Sequence, residues 1–153
     1  MNVRDLRDEV AYDLAQMQTV VDELESLRRD VGAHEATLRE VMAAGAFLSS
    51  FYNGVENILK RISKHHAVPL PTGDQWHVAL LDQFREPPPA GLPVLLSEPL
   101  AKDLDVYRRF RHVARTSYGI ELDWTKVAVG IDKIGSVFER FRAAVTEYLS
   151  RLG

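Results

Sequence analysis

Arg108, Arg109, Arg111, His112, Arg115 and Tyr118 crowd into one short stretch, YRRFRHVARTSYG, of a chain whose formal net charge is −3. Arginine presents a rigid fork of donors that matches a phosphate, and a histidine and a tyrosine within reach can move protons. If the stretch is helical, Arg108, Arg111, Arg115 and Tyr118 step by 3, 4 and 3 and share one stripe, with His112 beside it. Like charges at these spacings oppose the helix by about 0.2–0.5 kcal/mol per pair, and no acid lies between Asp105 and Glu121 to offset them. Two readings follow: a solvated face that happens to be basic, or an anion site built for phosphate.

The elements that must carry these residues are helical. Val10, Leu14, Met17, Val21 and Leu24 alternate steps of four and three, which predicts an amphipathic helix from about Val3 to Arg29, closed at Gly32. At 1.5 Å per residue it spans roughly 40 Å. A second helix places Leu38, Val41, Leu48, Phe51, Val55, Leu59 and Ile62 inward and ends in KRISKHH. Thr72 followed by Gln75 reads as a capping box that opens a shorter helix through Trp76, Leu80, Leu81 and Phe84. EPPPAGLPVLLSEP is too proline-rich to be helical at its start and reads as a loop packed over the bundle.

Ser97 as cap, with Pro99 in the first turn, opens the helix to Ser117 that carries the basic stretch. On it Val106, Tyr107, Phe110, Val113 and Ala114 are the expected buried face. A last helix opens at Asp123 with Val127, Ile131, Ile134, Phe138, Phe141 and Val145 on one stripe. Gly130 and Gly135 cost that helix about 1 kcal/mol each relative to alanine, so they mark close approach of a neighbour. No strand pattern and no internal repeat is present. The expectation is an all-α, up-and-down four-helix bundle with one additional short helix, forming a single domain over 1–153.

Composition narrows the functions. With 46% hydrophobic and 27% charged residues the chain is globular in type. Its net charge argues against a global affinity for nucleic acid, leaving the local excess at 108–115. It has no cysteine, which excludes disulfides and zinc–thiolate sites. The N-terminus lacks an apolar signal core and no run approaches membrane-span length, so a cytoplasmic chain without a membrane partner is expected.

Other groups carry weaker signals. His65 and His66 point about 100° apart on a helix and make a poor chelate. HEATL at His34 has Leu38 where a metalloprotease helix needs its second histidine. Trp76 and His77 read as a buried anchor and its neighbour before contacts to nucleic acid, and Trp124 as core before a base-stacking platform. Glu56 lies on the helix expected to face the basic one, where it would pair with an arginine or orient Arg111. No phosphate-cradling glycine loop occurs.

The stretches FYNGVENILKRISKHHAVPLPTGDQWHVALLDQF and YRRFRHVARTSYGIELDW resemble the HEPN superfamily, specifically HepT-like ribonuclease toxins, over about Leu38 to Leu149. The resemblance implies a metal-independent endoribonuclease without a cofactor, in which a ribose 2′-hydroxyl attacks the adjacent phosphorus and leaves a cyclic phosphate. It also implies a homodimer that gathers Arg111, His112 and Arg115 from two protomers. The implied partners are RNA and a cognate nucleotidyltransferase antitoxin that places adenylate on Tyr118. Arg111 and Tyr118 fit the first and last positions of the family motif, but Thr116 stands where the motif has histidine. A threonine hydroxyl is no general acid or base near neutral pH. His112 is then the candidate proton-transfer group, Arg111 binds the scissile phosphate, and Arg108 and Arg115 add RNA affinity. The alternatives are a weakened HEPN domain that binds RNA or nucleotide for a nucleotidyltransferase, and a helical adaptor whose basic stripe pairs with an acidic partner.

Overall fold

Each long helix begins where a short polar side chain satisfies free backbone N–H groups. In the computed structural model, which describes residues 2–85, 88 and 91–152, Asn2 caps α1 (Val3–Val31) by accepting from the Asp5 N–H at 2.8 Å. Gly32, at φ +54°, stops it. A capping box of Thr37 and Glu40 opens α2 (Leu38–His65). Ser97 caps α4 (Glu98–Thr116) through the Leu100 N–H, and Asp123 caps α5 (Trp124–Ser150) through the Thr125 N–H.

The expected box at Thr72 and Gln75 does not form. The short helix α3 (Trp76–Asp82) begins at Gln75 with no side-chain cap. A box over Thr72 needs helical backbone at the three following residues, and Gly73 at φ +90° breaks it. Phe84 lies past the end of α3 but is fully buried.

The four long helices close into an up-and-down bundle: α1 packs on α2 and α5, α2 on α4, and α4 on α5, with α3 bridging α2 and α4. At its centre Phe51 meets Tyr107 and Phe138 edge-to-face, with centroids 5.2 and 6.1 Å apart. Leu92, Leu95 and Leu96 of the connecting segment are buried on this core, and the Leu95 and Leu96 N–H groups donate to the Phe84 carbonyl. The segment is therefore packed over the bundle. Its proline-rich start, at Glu86, Pro87, Pro89 and Ala90, lies outside the described residues. No helix among the described residues is long and apolar enough to cross a membrane.

Two expectations about faces need correction. Leu38, first residue of α2, is 59% exposed, because it precedes the turn at which α2 meets its neighbours. On α4 only Tyr107 of the expected apolar face is fully buried; Val106, Phe110, Val113 and Ala114 are half-buried. The buried stripe there is Leu100, Leu104, Tyr107 and Arg111, rotated toward α2.

Close helix approach depends on Gly54 and Gly130. A Cβ at Gly54 would lie 2.5 Å from Met17 Cγ, and one at Gly130 would lie 2.7 Å from Phe110 Cε2. At Gly135 the nearest atom is Glu25 Oε2 at 3.4 Å, an ordinary contact. Gly54→Ala is therefore expected to lower stability by about 1–2 kcal/mol despite better helix propensity, because buried Met17 has no solvent to swing into. Gly135→Ala is expected to raise it by about 0.5–1 kcal/mol. Urea denaturation measures both, and shifts of the same sign would contradict this packing account.

Candidate functional site

Arg111 follows Leu100, Leu104 and Tyr107 at steps of 4, 3 and 4, so the helix turns its side chain inward; it is 3% exposed. The expected surface stripe of Arg108, Arg111, Arg115 and Tyr118 is thus broken at Arg111. A lone buried guanidinium is very costly, and α2 supplies the counter-charge. Glu56 receives Arg111 in a two-pronged pair, Nη1 to Oε1 at 2.6 Å and Nη2 to Oε2 at 2.9 Å. The Tyr52 ring lies beneath the guanidinium at 4.7 Å. Earlier on α2, Gly45 makes room for Leu122: a Cβ on it would lie 2.9 Å from Leu122 Cδ1.

Two further side chains complete the cluster. Asn53, three residues before Glu56 and on the same face, offers Oδ1 to Arg111 Nη1 at 2.9 Å and to Arg115 Nη2 at 3.1 Å. His77, delivered by α3, places Nδ1 2.8 Å from Glu56 Oε2 and 2.9 Å from Arg111 Nη2. A guanidinium only donates and an ionised carboxylate only accepts, so Nδ1 can serve one of the two: a proton on it goes to Glu56 and leaves the Arg111 contact as an approach of two donors, not a hydrogen bond. The Trp76 ring lies against that of His77 with centroids 3.5 Å apart, and Lys60 Nζ sits over Trp76 at 4.5 Å.

Burial by itself would push the Glu56 carboxyl up. The hydrogen bonds from Arg111 and His77 outweigh it and hold the group below the ordinary glutamate value. Tyr52 moves the other way: burial, then the neighbouring Glu56 charge, raise its phenol well above the usual range, and its hydroxyl has no hydrogen-bond partner among the described residues.

The remaining candidates separate. Arg108 pairs with Asp105 at 2.6 Å and Arg109 with the same carboxylate at 3.4 Å, so the acid that relieves the basic stretch lies at its own start. His112 is exposed, and its ring makes no hydrogen bond among the described residues. The Thr116 hydroxyl donates to the His112 carbonyl at 2.9 Å. Tyr118 lies beyond the end of α4, at φ +57° and 83% exposed, next to Gly119 at φ +81°. The structure brings Glu56, Arg111 and Arg115 together through Asn53, and leaves Arg108, His112 and Tyr118 outside that network.

Asn53 and His77 were not singled out for this cluster from sequence. Asn53 had a readable signal in its i, i+3 spacing from Glu56. His77 had none, because only tertiary packing brings α3 to α4. Elsewhere His66 Nε2 contacts the Tyr148 hydroxyl at 2.6 Å and His34 pairs with Glu40. Among the described residues no group of three or more histidines and acids could hold a metal ion.

A family model described as HepT-like protein matches residues 43–152, which include every residue of this cluster. No curated protein and no solved structure matches the chain.

Removing one partner of a buried pair leaves the other charge stranded. Arg111→Ala is therefore expected to cost about 3–5 kcal/mol, against about 1 kcal/mol or less for Arg108→Ala. The Glu56 carboxyl is held below its unfolded value, so its contribution is complete above that value and is lost as pH falls through the folded one. Glu56→Gln should accordingly flatten the acid limb of stability against pH. Chemical denaturation across the acid range measures this, and an unchanged limb would show that Glu56 is not the group responsible.

Proposed function

The chain belongs to the HepT-like family of the HEPN superfamily, and we propose that residues 1–153 act as one HepT-like unit, a metal-independent endoribonuclease toxin. In this reading a homodimer brings two copies of α4 together, RNA enters the basic cleft between them, and the 2′-hydroxyl attacks the adjacent phosphorus to leave a cyclic phosphate. His112 serves in proton transfer. A cognate nucleotidyltransferase antitoxin silences the protein by placing adenylate on Tyr118. The family membership suggests the toxin-like function; cleavage, pairing and modification are our extension of it.

The observation that carries the reading is the bridging oxygen of Asn53. A neutral amide oxygen accepts from Arg111 and Arg115 together, the position in which a phosphate oxygen would be held by two guanidinium groups and bring a full charge to them. Exposed Arg115 meets the phosphate first, and Arg111 contacts it once the amide is displaced. Arg108 adds affinity from the flank.

One observation favours a second reading, a weakened domain that binds RNA or nucleotide for a nucleotidyltransferase. The Thr116 hydroxyl is engaged with its own helix backbone and supplies no proton chemistry.

Purified protein in EDTA is expected to cut tRNA or total RNA to ends bearing a cyclic phosphate, and Arg111→Ala, checked for retained helicity, to lose cutting. Full cleavage by that variant removes the case for this site. Thr116→His separates the two readings: a gain of about 10²- to 10⁴-fold marks the native protein as weakened. Incubation with ATP and the partner enzyme is expected to add one adenylate to the native chain and none to Tyr118→Phe, as read by intact mass. Adenylate on that variant would place the modification elsewhere.

A further inference from the structure

Strand cleavage by the 2′-hydroxyl needs two proton transfers: one off the attacking oxygen and one onto the departing 5′-oxygen. We propose that His77 is the base that takes the first proton, an inference that rests on the ribonuclease reading above. A base has to be held in one tautomer with a lone pair facing the substrate. His77 is held by Glu56, and its other ring nitrogen is left open. Its Nδ1 lies 2.8 Å from Glu56 Oε2, and Glu56 is itself fixed by both terminal nitrogens of Arg111. With the Nδ1 proton directed at the carboxylate, the lone pair resides on Nε2. Nε2 makes no hydrogen bond among the described residues, and the side chain is 31% exposed. Trp76 covers one face of the ring.

The carboxylate does two things. It fixes which nitrogen carries the lone pair, and it holds the ring in one orientation, the logic of a carboxylate behind a catalytic histidine. His112 has no such support among the described residues: its ring is exposed and makes no hydrogen bond there that selects a tautomer. The balance of the step is complete with both rings. The 2′-oxygen forms its bond to phosphorus as its proton passes to His77 Nε2. The bond from phosphorus to the 5′-oxygen breaks, and that oxygen takes a proton from His112 in its charged form. The products are a 2′,3′-cyclic phosphate and a 5′-hydroxyl, and the two histidines have exchanged protonation states for solvent to reset. Arg111 pairs with the same carboxylate, so the guanidinium and the base share Glu56 as their common support.

The test is metal-free cleavage of tRNA by the full chain, native and variant. His77→Ala is expected to lower kcat by about 10²- to 10⁴-fold, with KM little changed and part of the rate restored by added imidazole. Because that variant also removes a partner of buried Glu56, His77→Asn is run beside it: its amide can still donate to Glu56 but carries no basic nitrogen. His77→Asn is expected to match the native chain in thermal stability and RNA binding and to share the loss of kcat. Native rates in His77→Asn, while Arg111→Ala is inactive, would overturn the role of His77 and leave the ribonuclease reading standing. Absence of cutting by the folded native chain would overturn both.

Discussion

A guanidinium withdrawn from water must be met by a carboxylate withdrawn with it, and the Arg111–Glu56 pair imposes that condition on α2 and α4. Two parallel hydrogen bonds are satisfied at one rotation and one axial offset of the two helices, so the pair sets register more than it adds stability. The desolvation of both groups offsets most of their attraction. What remains is specificity of position, and every other member of the cluster takes its place from it. Asn53 reaches both arginines because it is one turn before Glu56. His77 finds a partner because α3 crosses where the second carboxylate oxygen is free to accept another donor.

The first helix has a different relation to the site. The family match begins inside α2, at residue 43, and leaves α1 outside it. Yet α1 is fitted to α2 as closely as α4 is. Asp13 is buried and accepts from Arg61 Nε at 2.7 Å, with Glu9 on the same guanidinium, and Met17 fills the notch left by Gly54. These contacts lie along the same helix as Asn53 and Glu56. α1 therefore packs on the element that carries half of the cluster, and among the described residues no hydrogen bond or ion pair joins it to the cluster itself.

Helix existence and the caps at Ser97 and Asp123 were legible because both are local: apolar residues at steps of three and four, with a short polar residue ahead of the first turn. The two possible capping boxes show where that reading fails. Thr37 with Glu40 and Thr72 with Gln75 carry the same signature, and the second is cancelled by the backbone of one glycine, Gly73, whose φ the sequence does not display. Arg111 shows a second limit. Periodicity assigned it to the basic stripe by its charge, although its spacing from Leu100, Leu104 and Tyr107 already placed it inside. The deciding fact was a carboxylate on another helix, which no local pattern contains. Glu56 could be named as a partner from the expected pairing of the two helices, but His77 required the path of the chain between them.

Among the five tyrosines, burial divides the choices for a modifying enzyme. Tyr52, Tyr107 and Tyr148 are buried, and burial pushes each phenol upward, the last to about 12, so none can present a nucleophilic oxygen to a large partner. Tyr12 and Tyr118 stand in water, but Tyr12 belongs to α1 and lies outside the family match. Tyr118 adopts a left-handed backbone that few side chains other than glycine tolerate, and this geometry holds its ring clear of the helix end. On the proposed reading an adenylate there would carry a phosphate past the last turn of α4, within the field of Arg115 and of the other arginines on that helix. Its negative charge would then compete for the groups that RNA must engage, so silencing needs neither unfolding nor rearrangement of the buried pair.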